Sequence, residues 1–213
     1  MSFPEIDLIT RLREEHHFID RAMGSLYHWG LKGQQSEPGA RDSWVRFLEV
    51  FVHAFHHQRE EDLLFEVLVS RLELSPDNGP IRILREEHHE ETALARALAE
   101  ALPGPATQKV ATEIAGHVWE HLDKENSVVF AEGNERLVRS GIRRLEDRAM
   151  REEEAQARRT IEKLIEKWPP LDDPDHIRGD GCMPCSAYGV SCGGVEKEWW
   201  NQWDWERMDT FQG

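Results

Sequence analysis

Apolar residues recur at steps of three and four positions along four long stretches of the chain, which is the period of an amphipathic α-helix. Short stretches rich in Gly and Pro separate these segments, as expected for loops. The helices are predicted at about 5–32, 42–72, 80–102 and 106–131. Because only short loops join them, neighbouring helices should be antiparallel, which predicts an all-α, up-down-up-down four-helix bundle.

The remaining sequence is less regular. Gly133 and Gly141 interrupt the helical period, and a charged helix is then predicted from about Ile142 to Lys167. It would pack on the outside of the bundle or mediate self-association. The last segment has no long period and is rich in Cys and Trp. We therefore divide the chain into a bundle at 1–135, an additional charged helix at 136–168 and an irregular tail at 169–213.

Composition narrows the class of protein. The chain has 213 residues, of which 39% are apolar, enough for one core of ordinary size. It has no apolar run close to the roughly 18 residues that a membrane span needs, and its start does not resemble a signal peptide. A cytoplasmic protein is therefore predicted. The formal charge of −15 argues against binding nucleic acid or an anionic membrane, because both are polyanions.

Histidine and glutamate are paired twice at a spacing of four residues, which places both side chains on one face of a helix. The first pair is His56 and Glu60, in a segment ending at Phe65. Aligning Phe65 with Phe130 superimposes this pair on a second pair, His121 and Glu125. Both pairs fall on apolar faces. Buried imidazole and carboxylate groups are costly unless they bind something, and a metal ion satisfies both.

A second repeat supplies two more histidines. The residues Leu-Arg-Glu-Glu-His-His occur at 12–17 and again at 84–89. In each copy the first histidine lies on the apolar stripe. The sequence therefore predicts a metal site formed by His16, His56, Glu60, His88, His121 and Glu125. Four neighbours, rotated by about 100° from these residues, are expected beside the site or at the surface. They are His17, His57, His89 and Glu61.

In these motifs the sequence resembles the hemerythrin and HHE cation-binding family. The resemblance covers about residues 5–135 and includes a Glu-His pair on the first and third helices and the long motif at 56–65. It implies two iron ions bridged by Glu60, Glu125 and an oxo or hydroxo group. His16, His56, His88 and His121 would be the terminal ligands. Mixed imidazole and carboxylate ligands suit iron.

Two histidines depart from the family pattern. His53 stands where many relatives carry an acidic residue, and His117 lies one turn before His121 on the inner stripe. An extra imidazole there would fill a coordination position otherwise left to water or an oxidant. We predict that at least one of the two is a fifth histidine ligand.

The tail carries a separate cysteine motif. Cys182 and Cys185 form a Cys-x-x-Cys pair, with Cys192 after it and His176 before it. Three thiolates and an imidazole can complete a tetrahedral zinc site. Alternatively, the pair can cycle between dithiol and disulfide beside a redox-active metal, or it is inert. The tryptophans at 199–205 are expected to dock onto the protein itself, with covering the mouth of the site or binding a partner as the alternatives.

These motifs predict a protein that binds or activates O₂, peroxide or NO. The long extension beyond the bundle favours an oxidoreductase or another redox role with a small-molecule substrate or redox partner. A non-enzymatic O₂ or NO carrier or sensor, or an iron storage or delivery protein, is the alternative. The sequence does not decide whether the protein is an enzyme, or whether it forms oligomers.

Overall fold

The computed structural model describes residues 5–32, 39–176 and 178, and this part of the chain is helical without any strand. The predicted all-α class is therefore confirmed. No helix in the described residues has the length and apolar character needed to cross a membrane. The described residues form five helices. They are α1 Asp7–Lys32, α2 at 40–72, α3 Gly79–Glu100, α4 at 105–139 and α5 Glu152–Lys167.

Helices α2 and α4 contain turns that are wider than α-helical turns. The segments Phe47–His57, Glu60–Phe65 and Glu125–Val129 are π-helical. At the end of the first segment, the N–H of Gln58 donates to the carbonyl of His53, five residues back. Such turns are rare and concentrate at functional sites. In this protein they border the His-Glu pairs that the sequence singled out.

Two apolar clusters fill the inside of the bundle. One includes Phe51 and Trp119, and the other includes Phe65 and Phe130. The buried histidines and glutamates of the four bundle helices lie between the residues of these two clusters. A polar layer thus separates two apolar layers, and water has little access to it.

The structure differs from the prediction after residue 131. Helix α4 continues through the buried Gly133 to Arg139, and residues 142–150 are not helical. Helix α5 begins only at Glu152, about ten residues later than predicted. Its N-terminus is fixed by Glu154, which accepts from the backbone N–H of Arg151 at 2.6 Å. Helix α5 packs on α1 and α2. This agrees with the prediction that it packs on the outside of the bundle.

The first residues of the predicted tail lie against α1. The N–H of Leu171 donates to the carbonyl of Gly24 at 3.1 Å, and Arg178 forms ion pairs with Asp20 and Asp123. Most of the tail lies outside the described residues. The predicted zinc or thiol chemistry of Cys182, Cys185 and Cys192 and the docking of the tryptophans therefore stay predictions.

Candidate metal centre

Seven buried side chains from four helices meet in the polar layer, and each is at most 1% exposed. They form two groups that share one glutamate. Within each group, the atoms that can bind a metal all lie within 4.8 Å of one another. The first group is His16, His56, Glu60 and Glu125, and the second group is His57, Glu60, His88 and His121.

Distances in the first group match those around a single ion. The Nε2 atoms of His16 and His56 are 3.0 Å apart, and His56 Nε2 lies 3.2 Å from Glu60 Oε1. Glu125 Oε2 lies 3.3 Å from His16 Nε2. Donor atoms that sit about 2.0–2.2 Å from a common metal ion are separated by roughly 3.0–3.5 Å. The first group therefore has the dimensions of a coordination shell.

The second group has similar dimensions. The Nε2 atoms of His88 and His121 are 3.2 Å apart, and His88 Nε2 lies 3.5 Å from Glu60 Oε2. Glu60 thus offers one carboxylate oxygen to each group. Glu125 Oε2 lies 3.3 Å from His121 Nε2 and is equally near His16 in the first group. Each of the two carboxylates therefore lies near histidines of both groups.

The outer ring nitrogens of four histidines are hydrogen-bonded to oxygen acceptors, which fixes the orientation of each ring. The carboxylates of Glu15, Glu61 and Glu87 accept from His56, His88 and His121 at 2.9, 2.7 and 2.9 Å. His16 Nδ1 lies 2.9 Å from Asn126 Oδ1. With Nδ1 facing these acceptors, the Nε2 of each ring faces the centre, where it can offer its lone pair to a metal ion. Metal-binding histidines are commonly held in this way.

The donors at the centre fit a cation. The four oxygens of Glu60 and Glu125 have no hydrogen-bond partner within the described residues. Burial lowers the pKa of His56, but Glu60 and Glu15 outweigh this effect and raise it to about 10. The centre therefore attracts positive charge strongly, and a metal ion bound between the two groups would satisfy donors that protons satisfy only in part.

The comparison with protein families agrees with this geometry. The family model for the hemerythrin HHE cation binding domain matches residues 7–132. The chain belongs to this family. The resemblance that the motifs indicated is thus confirmed, and the His/Glu groups of the HHE domain indicate metal binding. No curated protein and no solved structure matches the chain.

Behind the first group, residues of the HHE domain form hydrogen bonds with the segment at 142–150, which lies outside the matched residues 7–132. Arg59 is 2% exposed and donates to Glu15 at 2.7 Å, the carboxylate that also holds His56. The same guanidinium donates to Asp147 at 2.7 Å. Next to Asp147, Arg148 donates to the carbonyl of Ala54, inside the first π-helical segment of α2, at 2.8 Å. The non-helical segment at 142–150 thus braces the His56 side of the centre.

Two carboxylates hold the second group, and one of them, Glu61, is nearer the surface. Glu61 accepts from His88 and its side chain is 31% exposed, while Glu87 accepts from His121 and pairs with Lys124. Burial would raise the pKa of Glu87, but His121 and Lys124 hold it at about 2. Glu87 is therefore ionised at neutral pH and keeps the hydrogen on His121 Nδ1.

The structure brings together all six residues of the predicted ligand set and adds His57. The ring of His57 stacks on that of His88 with centroids 3.8 Å apart. On an ideal α-helix His57 would be rotated away from the centre, but the π-helical turns of α2 change this angle. The only sign of this in the sequence is that two histidines stand next to each other at 56 and 57. The geometry of an ideal α-helix predicts that just one of them faces the centre.

Neither His53 nor His117 lies in the two groups. His53 is half-buried and lies 3.2 Å from the hydroxyl of Thr92. His117 is one turn before His121 and faces Glu90 and Glu91, with distances of 3.9 and 4.0 Å from its Nε2 to their carboxylates. Both side chains are displaced along the bundle axis from the shared Glu60. The fifth imidazole near the centre belongs to His57 instead.

Proposed function

We propose that this protein binds two iron ions in its HHE domain, one at each group, and reacts there with O₂, peroxide or NO. One observation supports the proposal above the others. Four histidines are held by their Nδ1 atoms so that every Nε2 faces the centre, and Glu60 supplies one oxygen to each group. The up-down-up-down order of α1–α4 is part of this proposal.

The ligand assignment follows from the two groups. Glu60 and Glu125 would be shared by the two ions, and His16 and His56 would hold one of them. His88, His121 and His57 would hold the other. Imidazole and carboxylate donors in this proportion suit iron. When bound, iron supplies one-electron redox chemistry and a position for a small ligand.

The protein's own residues would keep the centre dry and its donors in place. The apolar clusters on either side exclude water, and the carboxylates at Glu15, Glu61 and Glu87 hold three of the imidazoles. Asp147, which lies outside the matched domain, accepts a hydrogen bond from Arg59 and so connects the centre with the rest of the chain. A simple carrier has no need of this segment, so we favour an oxidoreductase or another redox role.

The space beside the second group favours a small reactant. A cavity of about 20 Å³ is lined by His57, Thr92 and Ala95, among others. This volume holds about one water-sized molecule. It suits O₂, peroxide or NO better than an organic substrate, and the same observation supports the alternative of a non-enzymatic O₂ or NO carrier or sensor.

Metal analysis with Mössbauer spectroscopy tests the iron centre directly. Protein purified without added metal should contain up to two iron ions per chain, and anaerobic addition of Fe²⁺ should complete them. Glu60→Gln should retain less than one, because Glu60 belongs to both groups. Glu66→Gln makes the same change on an exposed position of α2 and should keep two. A native protein that stays empty after Fe²⁺ addition contradicts the proposal.

The reaction itself is tested by mixing the anaerobically reduced protein with O₂. Repeated turnover with peroxide and a reductant is the expected result for an oxidoreductase. A stable spectrum that reverses when O₂ is removed would instead establish the carrier. Glu60→Gln serves as the control in both experiments, since it should lose either behaviour together with its iron.

A further inference from the structure

A buried carboxylate lies outside the two groups and has no hydrogen-bond partner. Glu91 is 7% exposed, and neither of its oxygens accepts a hydrogen bond from the described residues. A buried carboxylate in this condition is unfavourable unless a cation lies near it. Glu91 belongs to α3, three residues after His88, so it is displaced along the helix from the second group.

Two histidines face Glu91 from neighbouring helices. His57 Nε2 lies 3.5 Å from Glu91 Oε2, and His117 Nε2 lies 4.0 Å from Glu91 Oε1. The His117 Nε2 atom is buried and has no hydrogen-bond partner among the described residues. Among the ion pairs of the described residues, only histidines approach Glu91. A carboxylate and an imidazole nitrogen at this separation can bind one ion between them after small side-chain movements.

The exposure of these residues falls steadily from the surface inward. The side chain of Glu90 is 66% exposed, that of His117 is 23% exposed and that of Glu91 is 6% exposed. Next in line is His57, which belongs to the second group. The cavity of about 20 Å³ touches both Glu91 and His57. It is lined by neither His117 nor Glu90, so it lies on the side of Glu91 that faces His57.

We propose that Glu91 and His117 form an outer site for a divalent first-row cation, with Glu90 at its surface end. The outer site lies one helical turn from the second group along α3 and α4 and receives ions on their way to it. This role rests on the proposed iron centre, although binding at the outer site does not. Carboxylate and imidazole donors suit such cations, and the net charge of −15 attracts them to the protein.

Equilibrium dialysis of the full-length, metal-depleted protein against Co²⁺ tests the site. The native protein should bind three Co²⁺ per chain at saturation, whereas Glu91→Gln and His117→Gln should each bind two. Two exposed positions provide matched controls. Glu113→Gln and His89→Gln should each keep three. Because His117 is partly exposed, its substitution tests the site even if Glu91→Gln does not fold, which circular dichroism will show.

Loading kinetics provide a second measurement. The visible absorption of Co²⁺ at the two inner groups should appear at least tenfold more slowly in His117→Gln than in His89→Gln. A native protein that saturates at two Co²⁺, or variants that both keep the third ion, would overturn the outer site. A native protein that binds no Co²⁺ and no Fe²⁺ would instead contradict the proposed iron centre, so the two failures are distinguishable.

Discussion

Behind the first group of the candidate centre, the protein is filled with buried ion pairs, whereas behind the second group it is partly open. Arg59 lies between Glu15 and Asp147 on the first side and is almost inaccessible to water. On the second side, Glu61 reaches solvent, Glu91 has no hydrogen-bond partner in the described part of the chain, and a small cavity adjoins the site.

The same donor chemistry can therefore be supported in two ways. Buried charged pairs with short hydrogen bonds hold His56 in one position, at the cost of removing several charges from water. On the second side, Glu61 is 31% exposed, Glu87 pairs with the partly exposed Lys124, and a small cavity leaves space for an incoming molecule. We infer that the first group serves as the rigid half of the centre and the second group as the half at which ligands exchange.

The largest effect is expected from removing the buried guanidinium. Arg59→Met leaves the buried Glu15 and the partly buried Asp147 without their shared partner, which should lower the free energy of unfolding by about 3–5 kcal/mol. Urea unfolding measures this change, once with metal bound and once after chelation, so that metal binding and the ion pairs are separated. Arg46→Met is the control, because Arg46 is exposed on the same helix.

If the free energy of unfolding of Arg59→Met lies within about 1 kcal/mol of that of the control variant, the ion pairs behind the first group contribute little to stability. The proposed difference between the two groups would then be wrong. The iron content gives a second reading. Without Arg59, Glu15 loses the contact that holds its carboxylate beside His56. The affinity for iron at the first group should therefore fall by about 10–100-fold.

A smaller effect is expected at the start of α5, which holds Arg148 against α2. Glu154→Gln removes charged hydrogen bonds from Arg148 and Arg151. Because both arginines are partly exposed, we expect a loss of about 1–2 kcal/mol at pH 7. Glu153→Gln, at an exposed neighbouring position, should change little. Urea unfolding of both variants is the measurement.

The effect of Glu154→Gln should also depend on pH. Burial raises the pKa of Glu154, but Arg148 and Arg151 outweigh it and hold the pKa at about 2, below the usual 4.5. The carboxylate therefore stabilises the fold above pH 4.5, and this contribution is lost as the pH falls from 4.5 toward 2. The free energies of unfolding of the native protein and of Glu154→Gln should therefore become equal as the pH falls through that interval. A constant difference at all pH values would contradict this cause.

The sequence predicted the bundle and its six inner donors because both depend on periodicity. Apolar steps of three and four locate helix faces, and the repeats align His56 with His121 and Glu60 with Glu125. Periodicity fails where the helix is not regular. The π-helical turns of α2 bring His57 inward, and no composition rule predicts them. The prediction of a fifth imidazole at His53 or His117 depends instead on the family pattern and on the regular stripe of α4, neither of which contains this irregularity.

The support of the first group was not visible in the sequence for a different reason. Arg59 and Asp147 are separated by 88 positions, and both belong to segments in which charged residues are common. Only the packed structure shows that the segment at 142–150 leaves the helical conformation and lies beside α2. The glycines after Ala131 indicated that the helix is interrupted, but the pattern predicted its end too early. It also predicted that α5 begins about ten residues before its actual start at Glu152.

The smallest effect is expected behind the second group. Lys124 pairs with Glu87 but is 33% exposed, so Lys124→Ala should lower the free energy of unfolding by less than about 1 kcal/mol. Glu87 keeps its hydrogen bond to His121 without the lysine. Iron affinity should accordingly fall less than tenfold, in contrast to Arg59→Met. If the two substitutions weaken iron binding equally, when both are measured by competition with a chelator, the two halves are equally rigid and ligand exchange cannot be assigned to the second group.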